Sequence, residues 1–277
     1  MTINKTDISR GVVHFFLLLG VFTVFFPFAW MVLSSFKSNV ELYRIPITIF
    51  PETVYFGGYY RLFFGGGGIV TPYINTIIVS VSIVLLQLTT CSMAAYAFAR
   101  LDFPGKRLFF FFILCMLMIP PHMLLITRFR LVSNIGFGNS LLGIIAPSFI
   151  SITVTFFLRQ GFKTFPKDLE DAAIIDGCSR ARIYAQILLP SQKPIITAMG
   201  IMVMLFAWND LLWPLVIIHT ARWRVLSIVI ALSQGDHVLD RTFFLAASTV
   251  TIIPLIIVYS IFQRAFVSSI TMSGIKG

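Results

Sequence analysis

The stretch "DAAIIDGCSRARIYAQILLP", residues 171–190, is a polar island in an apolar chain. It reads as two short, punctuated helices. Upstream, "FPKD" supplies Pro166 and an N-cap candidate, Asp168, with Asp171 three residues later as a weaker capping box. Asp168, Glu170 and Asp171 crowd the first turn, where the helix dipole favours negative charge. Gly177 supplies a left-handed stop. Leu169, Ala172 and Ala173 share one face, small enough to seat against another surface. In the second helix Ser179 is the expected cap, and Ile183 with Ile187 and Tyr184 with Leu188 form an apolar stripe. Arg180 and Arg182 are expected to be exposed, and Pro190 to end the helix. Two well-capped helices of this kind suggest a docking element; a plain connecting hairpin is the blander reading.

The surroundings fix the class. Of 277 residues, 57% are hydrophobic and 12% charged, and the mean hydropathy is +0.91. A soluble domain carries about 25% charged residues. Apolar runs of about 20 residues, the length that crosses roughly 30 Å of hydrocarbon, recur along the chain. The expected fold is an all-α polytopic membrane protein, one domain over 1–277. Its six spans fall at about 11–33, 72–99, 107–127, 140–160, 194–218 and 243–264, with the docking segment at 166–190. The first run is too long for a signal-peptide core and has no small-residue exit, so it reads as an uncleaved span. The 29 phenylalanines suit a surface facing membrane lipid.

The net charge of +10 does not indicate nucleic acid, because the 21 Lys and Arg are scattered through short loops. With an even number of crossings, the termini and the loops 100–107 and 159–193 share one side and hold 13 of them, against 8 on the other. That bias places both termini and the polar island in the cytoplasm. Cys91, Cys115 and Cys178 have no metal or redox spacing, and the four histidines form no ligand group. The loop 34–71 ends in Gly65–Gly68, read as a flexible turn; no Lys-Ser/Thr follows it, so it is not a phosphate loop.

Inside the spans, Pro27, Pro120, Pro121, Pro147, Pro214 and Pro254 mark kinks or breaks. Cys91, Ala95 and Ala99 form a small-residue stripe for a close helix contact, within this chain or with another subunit. Asn209 and Asp210 interrupt span 5. An aspartate there should face a cavity or a partner, either as part of a translocation path or as a structural bond. Gln87, mid-span 2, raises the same question, whereas Asn75 reads as structural.

Residues 171–190 resemble the EAA signature of bacterial ABC importer permeases: acid-Ala-Ala, three residues, Gly, nine residues, Ile-x-Leu-Pro. Asp171, Ala172, Ala173, Gly177, Ile187, Leu189 and Pro190 occupy its fixed positions, with Asp176 inside it. Asp171 stands where the family has Glu, with Glu170 just before it, so either acid is a candidate for the family's contact. The segments 27–38, 73–107, 118–147, 156–177, 208–215 and 263–277 resemble the carbohydrate-uptake branch, the last resembling the tail of the second, maltose-type permease subunit. The resemblance implies the type I importer architecture in the bacterial cytoplasmic (inner) membrane. It implies a non-identical sibling permease, two ATP-binding cassette subunits and an extracytoplasmic solute-binding protein as partners. ATP and magnesium would be bound by the ATPase subunits and no cofactor by this chain, which would be a transport subunit and not an enzyme. The motif would seat in a cleft of the ATPase, and a sugar or oligosaccharide would cross by alternating access. An outer loop carrying Gln234, Gly235 and Asp236 near its tip would probe the binding protein. A self-contained secondary transporter is the alternative, although no internal inverted repeat is apparent and intramembrane charges are scarce.

Overall fold

The computed structural model describes residues 5–65, 68–235 and 240–274, with side chains described over 12–65, 68–233 and 240–263. Every regular element among the described residues is helical. Three helices are each long and apolar enough to cross a membrane: Val12–Ser34, Val70–Arg100 and Arg241–Gln263. Among the described residues, three further apolar helix pairs are bent at short breaks: Lys106–Leu117 with Pro121–Asn134 (94°), Leu141–Ser148 with Ile152–Lys163 (41°), and Arg180–Ser191 with Lys193–Asn209 (79°). Counting each pair as one gives up to six spans among the described residues.

The bends correct the expected continuous spans. Span 3, expected at 107–127, is broken: its helix stops at Leu117 and a new helical turn starts at Pro121, after Pro120. Adjacent prolines remove two N–H donors and hold the preceding backbone extended. Span 5 was placed at 194–218, but it is a 17-residue helix, Lys193–Asn209, followed by a separate Leu212–Ile217 helix. Seventeen residues rise only about 25 Å, short of the roughly 30 Å of hydrocarbon that one straight span crosses.

The chain forms two compact units. The first comprises residues up to Val70 and Ile230–Ile253. Its first span has mean hydropathy 2.3, and none of its most apolar 18-residue stretch is buried. The segment after that span folds on buried polar groups. Lys37 donates to the carbonyl of Thr48 and lies 5.0 Å over the Trp30 ring. Glu41 accepts from Thr48 Oγ1 (2.9 Å) and from the Glu52 amide (3.0 Å). Asp240 meets Arg61 through both oxygens, at 2.8 Å each. Burial pushes the Asp240 carboxyl up, but hydrogen bonds from Thr242, the Phe243 amide and Asn39, with the charge of Arg61, outweigh it and hold the group below the usual carboxylate range. Gly58 is required here, because a Cβ would lie 2.6 Å from the Thr242 carbonyl oxygen. Of the expected Gly65–Gly68 turn, Gly66 and Gly67 lie outside the described residues.

The second unit, Thr71–Val229 and the chain from Pro254, holds the main apolar core, including Val79, Ile83, Val154, Leu158, Phe162 and Leu188. Cys91 and Ala95 are fully buried in it. The Cys91 sulfur accepts from the Ser151 amide (3.2 Å) and its S–H donates to the Ser151 carbonyl (3.4 Å). The small-residue stripe thus makes a close contact with span 4 inside this chain. Asn75 donates to the carbonyls of Arg222 and Arg224 (2.9 Å each), the structural tie that the sequence suggested.

Candidate functional site: the 167–191 hairpin and the four-span cavity

The polar island folds as two helices, Lys167–Ile175 and Arg180–Ser191. The first is capped by Pro166, not Asp168, which instead lies in the first turn with Glu170. Proline fits there because its fixed φ and missing N–H cost nothing at a helix start. Gly177 has φ +79°; its amide bonds to the Ile174 carbonyl (3.0 Å) and that of Cys178 to the Ala173 carbonyl (2.9 Å). This is a complete Schellman stop. Ser179 caps the second helix, accepting from the Arg182 amide. Pro190 does not end that helix, which continues to Ser191 and turns at Gln192. Its middle, Ile183–Leu188, is π-helical. The wider turn leaves room for the Pro190 ring, which in a regular α-helix would press on the Gln186 carbonyl.

Glu170 and Asp171 separate at this point. Glu170 is 5% exposed and points into the protein. One oxygen accepts from Arg180 Nη1 at 2.8 Å and the other lies 3.7 Å from Arg100 Nε. Arg100, at the end of span 2, also donates to the Phe162 carbonyl (2.7 and 3.1 Å) and to that of Phe165. Arg180 was expected to be exposed. It is, with 55% of its side chain accessible, and its guanidinium pairs with Glu170. Ala173 turns inward with Glu170, so Leu169, Ala172 and Ala173 do not form one open face. The exposed face comprises Asp168, Leu169, Asp171, Ala172, Ile174, Ile175, Asp176 and Gly177. In the second helix Ile183 and Leu188 are fully buried, Tyr184, Ile187 and Leu189 half-buried, and Pro190 exposed.

Span 2 fastens this hairpin along one stripe. Ser92 shares a 2.7 Å hydrogen bond with Tyr184 Oη, Tyr96 Oη donates to the Arg180 carbonyl (3.4 Å), and Arg100 grips Glu170. Ser92, Tyr96 and Arg100 recur every four residues, so they lie one above another on the helix. The sequence reading missed them, although their spacing was visible.

Gln87, Asn209 and Asp210, far apart in sequence, line one cavity of about 570 Å³. It opens where three spans break. His122 comes from the break in span 3, Ser148 and Ser151 from the bend in span 4, and Asn209 and Asp210 from the end of the long helix of span 5. Broken helices free backbone groups that must be satisfied internally or line water. Span 2 supplies part of that: Gln87 Nε2 donates to the Ser148 carbonyl at 2.7 Å. Asp210 Oδ1 accepts weakly from the Trp213 amide (3.4 Å), and Asn209 donates to the Leu205 carbonyl (2.8 Å). Of the outer-loop residues, Gly235 closes a helix, Leu226–Gly235; the side chain of Gln234 and all of Asp236 lie outside the described residues.

Residues 87–272 match the family described as the inner membrane component of binding-protein-dependent transport systems. The chain belongs to that family. It is 35% identical over 258 residues to an arabinooligosaccharide transport system permease protein of Halalkalibacterium halodurans, covering 92% of each chain. It is 29% identical over 267 residues to a sn-glycerol-3-phosphate transport system permease protein of Pectobacterium atrosepticum, covering 94% of this chain and 95% of that one. A solved chain of a bacterial ABC transporter involved in the import of the acidic polysaccharide alginate shares the fold, with a TM-score of 0.84 and 22% identity over 96% of this chain and 99% of that one. The permease is therefore a multi-pass inner membrane subunit of a binding-protein-dependent ABC importer. It works with an ATPase and a solute-binding protein and is not itself an enzyme. The secondary-transporter reading is set aside by this membership.

Proposed function

We propose that this permease is one of two non-identical membrane subunits of a saccharide importer in the bacterial cytoplasmic membrane. Two ATPase subunits drive it, binding ATP and magnesium themselves. The Lys and Arg bias supports cytoplasmic termini and a cytoplasmic hairpin. Arabinooligosaccharide permeases among the relatives support a saccharide cargo. The loop around Gln234–Asp236 would meet the solute-binding protein.

The observation that carries the reading is the two-sided first helix of the hairpin. Glu170 and Ala173 anchor it inward, while Asp171, Ala172, Ile174 and Ile175 are left exposed. On this reading Asp171, not Glu170, is the acid that meets the ATPase. Its displacement would reach the cavity by two routes. One is span 2, clamped at Arg100 about 20 Å along the helix from Gln87. The other is the Arg180–Ser191 helix, which turns into the helix ending at Asn209. The test is co-purification of the ATPase with the assembled permease pair. Asp171→Lys combined with Gly177→Pro should abolish it; a full complement of ATPase on that variant would sink the docking claim.

A further inference from the structure

We propose that the cavity at the span breaks is a subsite, carried by this chain itself, for a neutral, hydroxyl-rich sugar ring. The proposal rests on the saccharide-importer reading and adds to it both a site and a charge preference.

Size and lining point the same way. A volume of about 570 Å³ falls within the roughly 300–1,000 Å³ of small-molecule sites. The wall mixes apolar side chains, Met202 and Phe206 among them, with a few convergent polar ones. A sugar needs both, since its ring has an apolar C–H face and a rim of hydroxyls that donate and accept. Gln87 uses one amide N–H on the Ser148 carbonyl, which leaves its second N–H and its oxygen for a ligand. Asn209 likewise uses one N–H on the Leu205 carbonyl. Asp210 accepts weakly at one carboxylate oxygen. Together they offer both donors and acceptors, as adjacent hydroxyls require.

Charge sets the preference. Among the described residues, Asp210 is the one carboxylate of the lining and no Lys or Arg lines it; His122 is the other titratable group. The nearby Arg128 stands behind the lining and is engaged: its guanidinium lies 4.2 Å over the Trp213 ring, donates to Ser148 Oγ at 3.0 Å and interacts with the charge of Asp210. An anionic solute would meet the carboxylate with no Lys or Arg in the lining to pair with, the charge of Arg128 being already engaged, at a site where low dielectric amplifies repulsion. A neutral ring would meet hydrogen-bonding groups only.

The test is equilibrium dialysis of the assembled importer, purified without its binding protein, against arabinotriose, xylotriose and maltotriose as neutral probes and sn-glycerol 3-phosphate as the anionic one. Uptake by the complete system in vesicles is measured alongside. Binding of a neutral probe that glycerol 3-phosphate does not displace is expected. Asn209→Ala should weaken it about tenfold, the loss of one ligand hydrogen bond; that position is exposed on a helix, so alanine keeps the backbone. Asp210→Asn should let the anion compete. Neutral binding unchanged in both variants, with the complex assembled, overturns the subsite and leaves the importer reading standing. Binding of the anion alone to the unaltered importer overturns the charge preference. No binding of any neutral probe overturns the subsite, and absence of saccharide uptake by the complete system separately overturns the function on which it rests.

Discussion

In the hairpin anchor, Glu170 is 5% exposed and both its oxygens face a guanidinium; Arg100 beside it reaches two backbone carbonyls as well. In the cavity, Gln87 and Asn209 each bond once through the side chain and keep further hydrogen-bonding capacity, and Asp210 is half-buried, with backbone donors at Trp213 and Leu212 and the charge of Arg128 nearby. Both places are polar in an apolar chain. The anchor's side chains complete one another, so its polar groups fix geometry. The cavity's are left partly open, so they suit a visitor. A buried polar group without a partner costs about 1–3 kcal/mol, which is why the open ones sit where a cavity can admit water or ligand.

This contrast predicts that anchor substitutions act on assembly and stability, and cavity substitutions on ligand handling. The largest effect belongs to Glu170→Ala, which leaves Arg100 buried beside an empty place. Breaking a buried pair in this way costs on the order of 3 kcal/mol, to be read as a lowered thermal unfolding midpoint of the purified complex; an unchanged midpoint breaks the comparison. Gly177→Ala follows, with about 1–2 kcal/mol expected because L-residues pay that at positive φ; asparagine at 177 should recover part of it. Gln87→Ala should cost about 1 kcal/mol through the orphaned Ser148 carbonyl, while its effect on saccharide binding exceeds its effect on unfolding. The smallest is Arg180→Ala. Its side chain is 55% exposed, so water screens the pair and the change stays under about 1 kcal/mol. If Arg180→Ala matched Glu170→Ala in the unfolding measurement, Arg180, rather than Arg100, would be the chief partner of Glu170.

The corrections to the sequence reading have two causes. Pro166 in place of Asp168 as the cap, and a helix running past Pro190, are shifts of one or two residues in elements that were otherwise foreseen. Proline is ambiguous at both places, since it starts helices as readily as it ends them. The breaks in spans 3 and 5 lay at Pro120–Pro121 and Asn209–Asp210, both already marked. What hydropathy could not reveal there was interruption, because an average over 20 residues stays apolar across a three-residue gap.

Sequence by itself determined the membrane class, the three continuous apolar helices, the Gly177 stop, the Ser179 cap and the EAA pattern. All of these are written within a few residues or in the composition of a run, where helical geometry and transfer free energy act locally. Tertiary structure alone decided which of two adjacent acids faces outward. Neighbours on a helix point about 100° apart, and the direction of Glu170 is set by Arg100, 70 residues earlier in the chain. It alone brought Gln87 to Asn209 and Asp210, because their meeting depends on how broken spans pack, and no local spacing encodes that.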